Sequence, residues 1–488
     1  MKSKIKINKS KYFSFLQCTK KLYLDLNADI NPWTNNPNRS LNKNIMMDYV
    51  KDYFVTKLEN INLKQIYDKD EFLDNINNNN NFISFGLNLK SDDLSIKYDV
   101  ITKVDNMINI YLAKSAIYTK TYYIKELTLQ KYLINKLIDV PAISNLILIN
   151  NDYEFTKSDI NLDEYLNFVE CESRINNEDF IEVENNLNNI RKEITKIKTP
   201  EIEIGSHCKN PYQCNYFDHC RINMPYYHVE QIPNQSKDQK QKINALGIKD
   251  IAKLPEINWL SDIQNRTITS VKNSKEYIKP TLGSTLAKLK FPLYFMDFET
   301  IISPLPIFPN SFPFQPLPCM WSLHKLDNKG ENLSYYNFYD LSGNDPRKDF
   351  IIKLIDILGE SGDILIYSDY EKRILHQIIS SYPELKKDIE NIISRCVDML
   401  KLVRENYYHP GFRGSFSLKS VSKILPDGDI YNSEYVNSGD DASTVLMQLI
   451  TGKIKKELIS IYEQELINYA KKDTLSLVNL YNHLISVA

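Results

Sequence analysis

Phe291-Pro-Leu-Tyr-Phe-Met-Asp-Phe-Glu-Thr300 is an apolar run that ends in two carboxylates one residue apart. Because side chains alternate along a β-strand, we predict that Asp297 and Glu299 project from one face and that Phe298 points into a core on the other. Neighbouring carboxylates repel each other unless a positive charge lies between them, and the usual solution in proteins is a divalent cation with oxygen ligands. The alternative is that these acids cap helices or pair with Lys and Arg.

Two later segments carry further acids. Residues 362–367 predict a buried strand, and the following Ser368-Asp-Tyr-Glu-Lys-Arg-Ile-Leu375 predicts a strand end that turns into a helix. Near the C-terminus, residues 467–481 have the apolar spacing of a helix. Tyr469 and Asp473 are four residues apart on that helix, so they share one of its faces.

The order of these segments resembles the DEDD 3′→5′ exonucleases of the subgroup with a tyrosine. The order is Asp-x-Glu-Thr, then an acid after a second strand, then Tyr-x-x-x-Asp on a last helix. The resemblance covers about residues 290–488 and implies a ribonuclease-H-like fold. The region also resembles an uncharacterised bacterial domain family that is often found behind a RecB-like nuclease domain.

Carried over by position, the resemblance implies a set of catalytic residues: Asp297, Glu299, Glu371, Tyr469 and Asp473. Most of these enzymes have Asp in the second motif, whereas this chain has Glu371, with Asp369 as a nearby alternative. Asp297 would bridge two ions, Glu299 and Asp473 would complete one of them, and Glu371 would support the other.

The residue types suit two-metal hydrolysis of phosphodiester bonds. That chemistry needs acidic oxygens that hold cations such as Mg²⁺ or Mn²⁺ about 3.5–4 Å apart. A free tyrosine has a pKa of about 10, so Tyr469 is better suited to positioning the attacking water than to deprotonating it.

Three of the seven cysteines lie close together in His207-Cys-Lys-Asn-Pro-Tyr-Gln-Cys-Asn-Tyr-Phe-Asp-His-Cys220. The odd number of cysteines, and an opening Met1-Lys-Ser-Lys without a secretory signal, predict a cytoplasmic protein without a disulfide framework. Clustered thiolates in such a protein suit an iron–sulfur cluster or zinc. With zinc, His207 or His219 could be a ligand. The alternative is that the thiols are unligated.

The segment Asn8-Lys-Ser-Lys-Tyr-Phe-Ser-Phe-Leu-Gln-Cys-Thr-Lys-Lys-Leu-Tyr-Leu24, paired with that distant cysteine cluster, resembles RecB-type nucleases with an iron–sulfur cluster, including CRISPR-associated ones. The resemblance covers about residues 1–225 and implies a restriction-endonuclease-like PD-(D/E)xK domain. It also implies that a 4Fe-4S cluster staples the N-terminal helix to the end of that domain. The implied ligands are Cys18, Cys208, Cys214 and Cys220.

The PD-(D/E)xK site that this resemblance implies is incomplete. Asp99 and Lys114 are predicted on partner strands, but Leu112 stands where an acid is expected two residues before the lysine. Gln130 follows on an amphipathic helix, and Glu126, one helical turn earlier, could supply a relocated carboxylate. We therefore predict a degenerate site that binds nucleic acid, and keep an active site rescued by Glu126 as the alternative.

The length predicts about three domains. We expect the RecB-like domain at 1–228, a helical linker at 229–285 and the exonuclease domain at 286–488. Residues 239–255 include Leu-Gly-Ile-x-x-Ile-x-x-Leu-Pro, which resembles a helix-hairpin-helix module that holds phosphates by backbone amides. A plain helical linker fits the segment equally well.

The composition is that of a folded protein, with 42% hydrophobic residues. It has no apolar run of about 18 residues, so no membrane span is expected. The longest candidate, residues 140–149, predicts a buried strand. The net charge of −2 does not by itself indicate nucleic-acid binding. Binding would depend on bridging metals and on local lysines such as Lys419 and Lys423.

Together these features predict a cytoplasmic, multi-domain α/β enzyme that hydrolyses DNA or RNA from the 3′ end, with a single strand or a 3′ end as the nucleic acid that it binds. One alternative is a binding or assembly scaffold in which both sites are inactive. The other is a dual nuclease with an active N-terminal site.

Overall fold

The computed structural model describes residues 6–28, 37–58, 64–156, 159–222, 224–330, 332–425, 433 and 435–488. The chain divides into two compact units. Unit 1 comprises residues 1–223 with 304–307 and 311–314, and unit 2 comprises 224–303, 308–310 and 315–488. The fold is mixed α/β, as the sequence predicts. The segment 229–285, predicted as a separate linker, belongs to unit 2.

Unit 1 contains both strands and helices, with five strands following one another along the chain over residues 82–113. Its strands are β1 (Ile7–Asn8), β2 (Lys64–Gln65), β3 (Phe82–Phe85), β4 (Asn88–Ser91), β5 (Leu94–Lys97), β6 (Val100–Val104), β7 (Met107–Ala113), β8 (Ala142–Ile149) and β9 (Leu166–Glu170). Its helices are α1 (Lys9–Gln17), α2 (Thr19–Asn27), α3 (Pro37–Leu58), α4 (Lys69–Asn77), α5 (Thr121–Leu137), α6 (Leu162–Tyr165), α7 (Asn177–Ile194) and α8 (Phe217–Arg221).

A six-stranded mixed sheet forms the body of unit 1, in the order β2-β3-β6-β7-β8-β9. Strands β7 and β8 are parallel, and α5 connects them. Leu127 and Leu133 of α5 are buried in one core with Ile108 of β7 and Leu146 of β8. The buried strand expected over residues 140–149 is therefore confirmed as β8.

Unit 2 contains the remaining elements. Its strands are β10 (Tyr277–Ile278), β11 (Leu293–Ile302), β12 (Pro316–Leu326), β13 (Leu333–Tyr339), β14 (Asp363–Ile366), β15 (Cys396–Asp398) and β16 (Tyr407–Tyr408). Its helices are α9 (Lys237–Ala245), α10 (Asp262–Asn273), α11 (Leu282–Leu286), α12 (Arg347–Leu358), α13 (Tyr370–Ser381), α14 (Lys386–Arg395), α15 (Met399–Asn406), α16 (Leu418–Ser422), α17 (Gly439–Ile450) and α18 (Ile459–Val487).

Strand β11 is the central strand of a five-stranded sheet in the order β13-β12-β11-β14-β15. It pairs antiparallel with β12 and parallel with β14. Both faces of β11 are covered, which explains its nearly continuous apolar sequence. On one face Phe298 lies 4.9 Å from Phe350 of α12, between ring centroids, and on the other Phe295 lies 5.7 Å from Tyr481 of α18. The prediction that Phe298 points into a core is confirmed.

The segment predicted to resemble a helix-hairpin-helix has only its first half in that form. Helix α9 ends before Gly247, whose φ of +67° makes the turn, but a single 3-10 turn at Ile251–Lys253 follows in place of a second helix. The Ile251 amide donates to the Tyr227 carbonyl, so this amide is engaged within the protein. Within the described residues of the whole chain, no helix is long and apolar enough to cross a membrane.

The start of β14 depends on a glycine. Gly362 has a φ of +90°, and a Cβ atom there would lie 2.2 Å from the Pro292 carbonyl oxygen. Gly359 also has a positive φ, +52°, but a Cβ atom there would meet no atom within 4 Å. The two glycines thus differ in available space and share an unfavourable backbone conformation for alanine.

We expect Gly359→Ala to lower the free energy of unfolding by about 1–2 kcal/mol, because of its left-handed backbone. Gly362→Ala should cost about 1–3 kcal/mol more, because β11 and β14 must also move apart. Urea denaturation followed by tryptophan fluorescence measures both, since Trp321 is buried in this sheet. If both variants lost the same free energy of unfolding, the close contact between Gly362 and the Pro292 carbonyl would not limit the residue at this position.

Candidate functional site

Three carboxylates from two elements meet in unit 2. Asp297 and Glu299 project from the same face of β11, as their spacing predicts, and α18 crosses that face and brings Asp473 to them. A ligand atom from each of the three lies within 4.8 Å of the others. Glu299 is 6% exposed and Asp473 is 9% exposed. Such closely spaced buried oxygens could bind a divalent cation.

A fourth carboxylate comes from α13. Glu371 is 3% exposed, and its carboxyl group lies against that of Asp297, where the two can hydrogen-bond only if one of them carries a proton. Asp369, the alternative from the sequence, is instead exposed and pairs with Lys372 at 3.5 Å. The turn before α13 includes Ser368 with a φ of +121°, a strained conformation for a residue with a side chain. The structure therefore favours Glu371 over Asp369 as the acid of the second motif.

The electrostatics of this acidic centre, defined as Asp297, Glu299, Glu371 and Asp473, are unfavourable without a cation. Burial raises the pKa of Asp297 and of Glu299 well above the usual range, and repulsion from neighbouring carboxylates raises both further. Burial also raises the pKa of Glu371 to about 7. The ammonium group of Lys419 acts in the opposite direction on the pKa of Glu299. A bound cation would relieve this repulsion.

A polar network fixes α18 beside the acidic centre. Thr474 follows Asp473, and its hydroxyl lies 2.9 Å from His324 Nδ1 and 3.1 Å from Ser322 Oγ on β12. Ser322 is paired with Asp297 across the sheet. Burial lowers the pKa of His324 to about 4, so its ring is neutral at pH 7. None of these three positioning residues belongs to a recognisable motif, so the sequence does not predict them.

Tyr469 and Lys419 lie near the acidic centre. Tyr469 is buried on α18, one helical turn before Asp473, and Lys419 Nζ lies 5.4 Å from the centroid of its ring. Lys419 also donates a hydrogen bond to the Asn437 carbonyl. Lys423 is exposed at the end of α16, and the structure shows no contact between it and the acidic centre. Of the two lysines predicted to bind nucleic acid, only Lys419 is thus placed beside the carboxylates.

The predicted PD-(D/E)xK residues of unit 1 flank their strands. Asp99 lies in the bend directly before β6, and Lys114 directly follows β7. The prediction that both lie on strands is therefore wrong, because each lies one residue outside its strand. Leu112 is buried in the core. Gln130 is 1% exposed on α5, and its side-chain amide has no hydrogen-bond partner among the described residues.

Glu126 approaches Lys114, as the alternative of a relocated carboxylate requires. Glu126 Oε2 lies 2.7 Å from Lys114 Nζ. Its other oxygen, Oε1, lies 2.9 Å from Lys9 Nζ, a contact that no local sequence pattern predicts. Asp99 accepts a hydrogen bond from the Ala113 amide at 3.1 Å. The structure therefore gathers Asp99, Lys114 and Glu126 at one place, together with an unexpected lysine.

The four cysteines predicted to hold a cluster line one pocket in unit 1: Cys18, Cys208, Cys214 and Cys220. The Gln17 side-chain amide donates to the carbonyls of His207 at 3.0 Å and Tyr212 at 2.8 Å, so it ties α1 to the cysteine segment. His207 lines the same pocket, with Nε2 3.4 Å from Cys208 Sγ, whereas His219 is exposed on α8. Thiols are suitable ligands for an iron–sulfur cluster or zinc, but no three of these cysteine and histidine side chains bring their ligand atoms within 4.8 Å of one another.

Comparison with known proteins adds one match. Residues 294–417 match a family model described as Domain of unknown function (DUF2779), which spans about a quarter of the 488-residue chain. The matched segment includes Asp297, Glu299 and Glu371, and it ends before Tyr469 and Asp473. No curated protein and no solved structure matches the chain.

We expect Asp297→Asn to stabilise unit 2 in the absence of divalent ions, because an amide keeps the shape of the side chain and requires neither a buried charge nor the uptake of a proton on folding. Each kcal/mol recovered should raise Tm by about 2–4 °C in a domain of this size. Thermal denaturation in EDTA and in Mn²⁺ measures the effect, with the exposed Asp369→Asn as control. Mn²⁺ should raise the Tm of wild type and of the control more than that of Asp297→Asn. A lower Tm for Asp297→Asn in EDTA would contradict the repulsion.

If the pocket holds iron or zinc, we expect Cys18→Ser to lower the metal content of anaerobically purified protein, because it removes one of the four thiols that line the pocket. Cys171→Ser is the matched control: Cys171 is buried elsewhere in unit 1, and a serine can keep its bond to the Val169 carbonyl. Elemental analysis and visible absorption measure the metal. Equal metal content in the two variants would contradict the cysteine site.

Proposed function

We propose that unit 2 is a metal-dependent 3′→5′ exonuclease acting on DNA or RNA. The observation that carries this proposal is the convergence of four carboxylates from β11, α13 and α18, which are mutually repulsive and largely buried. Carboxylates crowded in this way suit Mg²⁺ or Mn²⁺, which prefer oxygen ligands. The mixed sheet, covered by helices on both faces, agrees with the ribonuclease-H-like fold that the sequence resemblance implies.

The residues of the acidic centre divide the work of phosphodiester hydrolysis. Asp297 lies against Glu371 and beside Glu299 and Asp473, so its ionised carboxylate would be a ligand for cations held among these four acids. Metal ions bound there would lower the pKa of a water molecule and stabilise charge on the attacking and leaving oxygens. Tyr469, held on the same helix as Asp473, would orient that water.

Lys419 has a role that complements the carboxylates. Its ammonium group lies over the ring of Tyr469, and its positive charge lowers the pKa of Glu299. A phosphate that enters the centre would meet this positive charge, which favours binding of the anionic backbone. The 3′→5′ direction comes from the exonuclease resemblance.

The proposal is tested with 5′-labelled single-stranded DNA and RNA in Mn²⁺ or Mg²⁺. The label stays on products that are shortened from the 3′ end, so wild type should give a ladder of labelled products. Whichever of DNA and RNA gives this ladder is the substrate. Asp297→Ala should lower the rate by at least about 100-fold, because loss of a mere supporting partner of a metal ligand already costs 10- to 100-fold. Asp369→Ala, an exposed acid in the same segment, should behave as wild type.

Two outcomes would contradict the proposal. Tight binding without products would favour an inactive scaffold. Equal ladders from wild type and Asp297→Ala would move the chemistry out of unit 2 and favour an active site elsewhere in the chain.

A further inference from the structure

Unit 1 contains another group of charged side chains, built around two carboxylates. The net charge of this group is positive, whereas that of the acidic centre is negative when its acids are ionised. Asp99 and Glu126 are accompanied by three ammonium groups, those of Lys9, Lys43 and Lys114. We call these five residues the lysine-paired centre. It carries one more positive than negative charge, whereas the acidic centre gathers four carboxylates with Lys419 close by.

Every carboxylate oxygen of the lysine-paired centre has a partner from the protein. Asp99 Oδ1 lies 3.4 Å from Lys43 Nζ, and Oδ2 accepts from the Ala113 amide at 3.1 Å. Glu126 lies between Lys9 at 2.9 Å and Lys114 at 2.7 Å, one lysine to each oxygen. These ion pairs include a largely buried carboxylate, since the Glu126 side chain is 6% exposed.

A divalent cation does not fit this arrangement. It would have to displace Lys9 or Lys114 from Glu126, and it would enter a cluster that is already net positive, so Coulomb repulsion opposes its binding. With Leu112 in place of the missing acid, the centre also offers too few anionic oxygens to replace the hydration of such an ion. The metal that the PD-(D/E)xK resemblance implies is therefore not supported by the residues present.

An anion fits the same place better. The side chains of Lys9 and Lys43 are 41% and 54% exposed, whereas that of Lys114 is 16% exposed, so two of the ammonium groups can reach solvent. Gln130 lies one helical turn after Glu126, and a buried side-chain amide without a partner is a group that a ligand can satisfy.

We propose that the lysine-paired centre binds a backbone phosphate of nucleic acid through Lys9 and Lys43, without a divalent cation and without cleaving it. Lys114 neutralises Glu126 from the protein side and keeps the carboxylate from repelling the phosphate. Unit 1 then binds nucleic acid, and its lysines supply the positive charge that a metal ion supplies in a PD-(D/E)xK site. This inference does not depend on the activity proposed for unit 2.

The binding test uses full-length protein carrying Asp297→Asn and Asp473→Asn, in EDTA, with a fluorescently labelled oligothymidylate. Lys9→Met and Lys43→Met should each weaken binding, and each should make the slope of log K against log salt concentration shallower by about 0.7. The control is Lys125→Met, because Lys125 lies on α5, is 44% exposed and pairs with Glu182 at 2.8 Å. Circular dichroism melting of each variant verifies the fold.

The metal test titrates the same Asp297→Asn, Asp473→Asn protein with Mn²⁺, followed by electron paramagnetic resonance. We expect no Mn²⁺ bound at unit 1, and no change when Glu126→Gln is added. Mn²⁺ binding that Glu126→Gln abolishes would overturn the proposal, as would affinity in EDTA that neither Lys9→Met nor Lys43→Met reduces. Failure of unit 2 as an exonuclease would leave both readouts unaffected.

Discussion

Repulsion between carboxylates on the central strand of unit 2 is the constraint to which the surrounding structure responds. Asp297 and Glu299 must share a face of β11 because side chains alternate along a strand. Helix α18 adds Asp473 to that face, α13 adds Glu371, and burial removes the water that would screen them. Such an arrangement costs stability unless a cation neutralises it, and a cost of this kind is typical of functional sites.

In unit 2, packing and hydrogen bonds hold the strand and the helix that carry these carboxylates in fixed positions. Apolar packing on both faces of β11 fixes the strand, and the contacts of Thr474 with His324 and Ser322 fix the rotation of α18. A metal centre needs ligands held by elements that do not move and by partners that orient them. The acidic centre thus has the preorganisation that the proposed chemistry requires.

In unit 1, repulsion between neighbouring carboxylates is reduced in a different way. Its two carboxylates are each paired with lysine side chains, so the protein supplies the positive charge itself. The contrast between the two centres gives a physical reason to place metal chemistry in unit 2 and metal-free binding in unit 1. Leu112, at the position where the PD-(D/E)xK resemblance implies an acid, is consistent with this division.

Local spacing predicted part of this arrangement from sequence. The shared faces of Asp297 with Glu299 and of Tyr469 with Asp473 follow from the periods of a strand and a helix, and both were expected. Glu371 was predicted with Asp369 as the alternative, and the burial that separates the two acids depends on tertiary packing, which local spacing does not show. Lys9 and His324 were missed because they reach their partners through long-range contacts that leave no local pattern.

The most direct test of the central claim is anomalous diffraction from crystals of the protein soaked in Mn²⁺. We predict two peaks between the carboxylates of Asp297, Glu299, Glu371 and Asp473, about 3.5–4 Å apart, as two-metal hydrolysis requires. Absence of density there at saturating Mn²⁺, with the four carboxylates still gathered, would contradict a metal centre in unit 2.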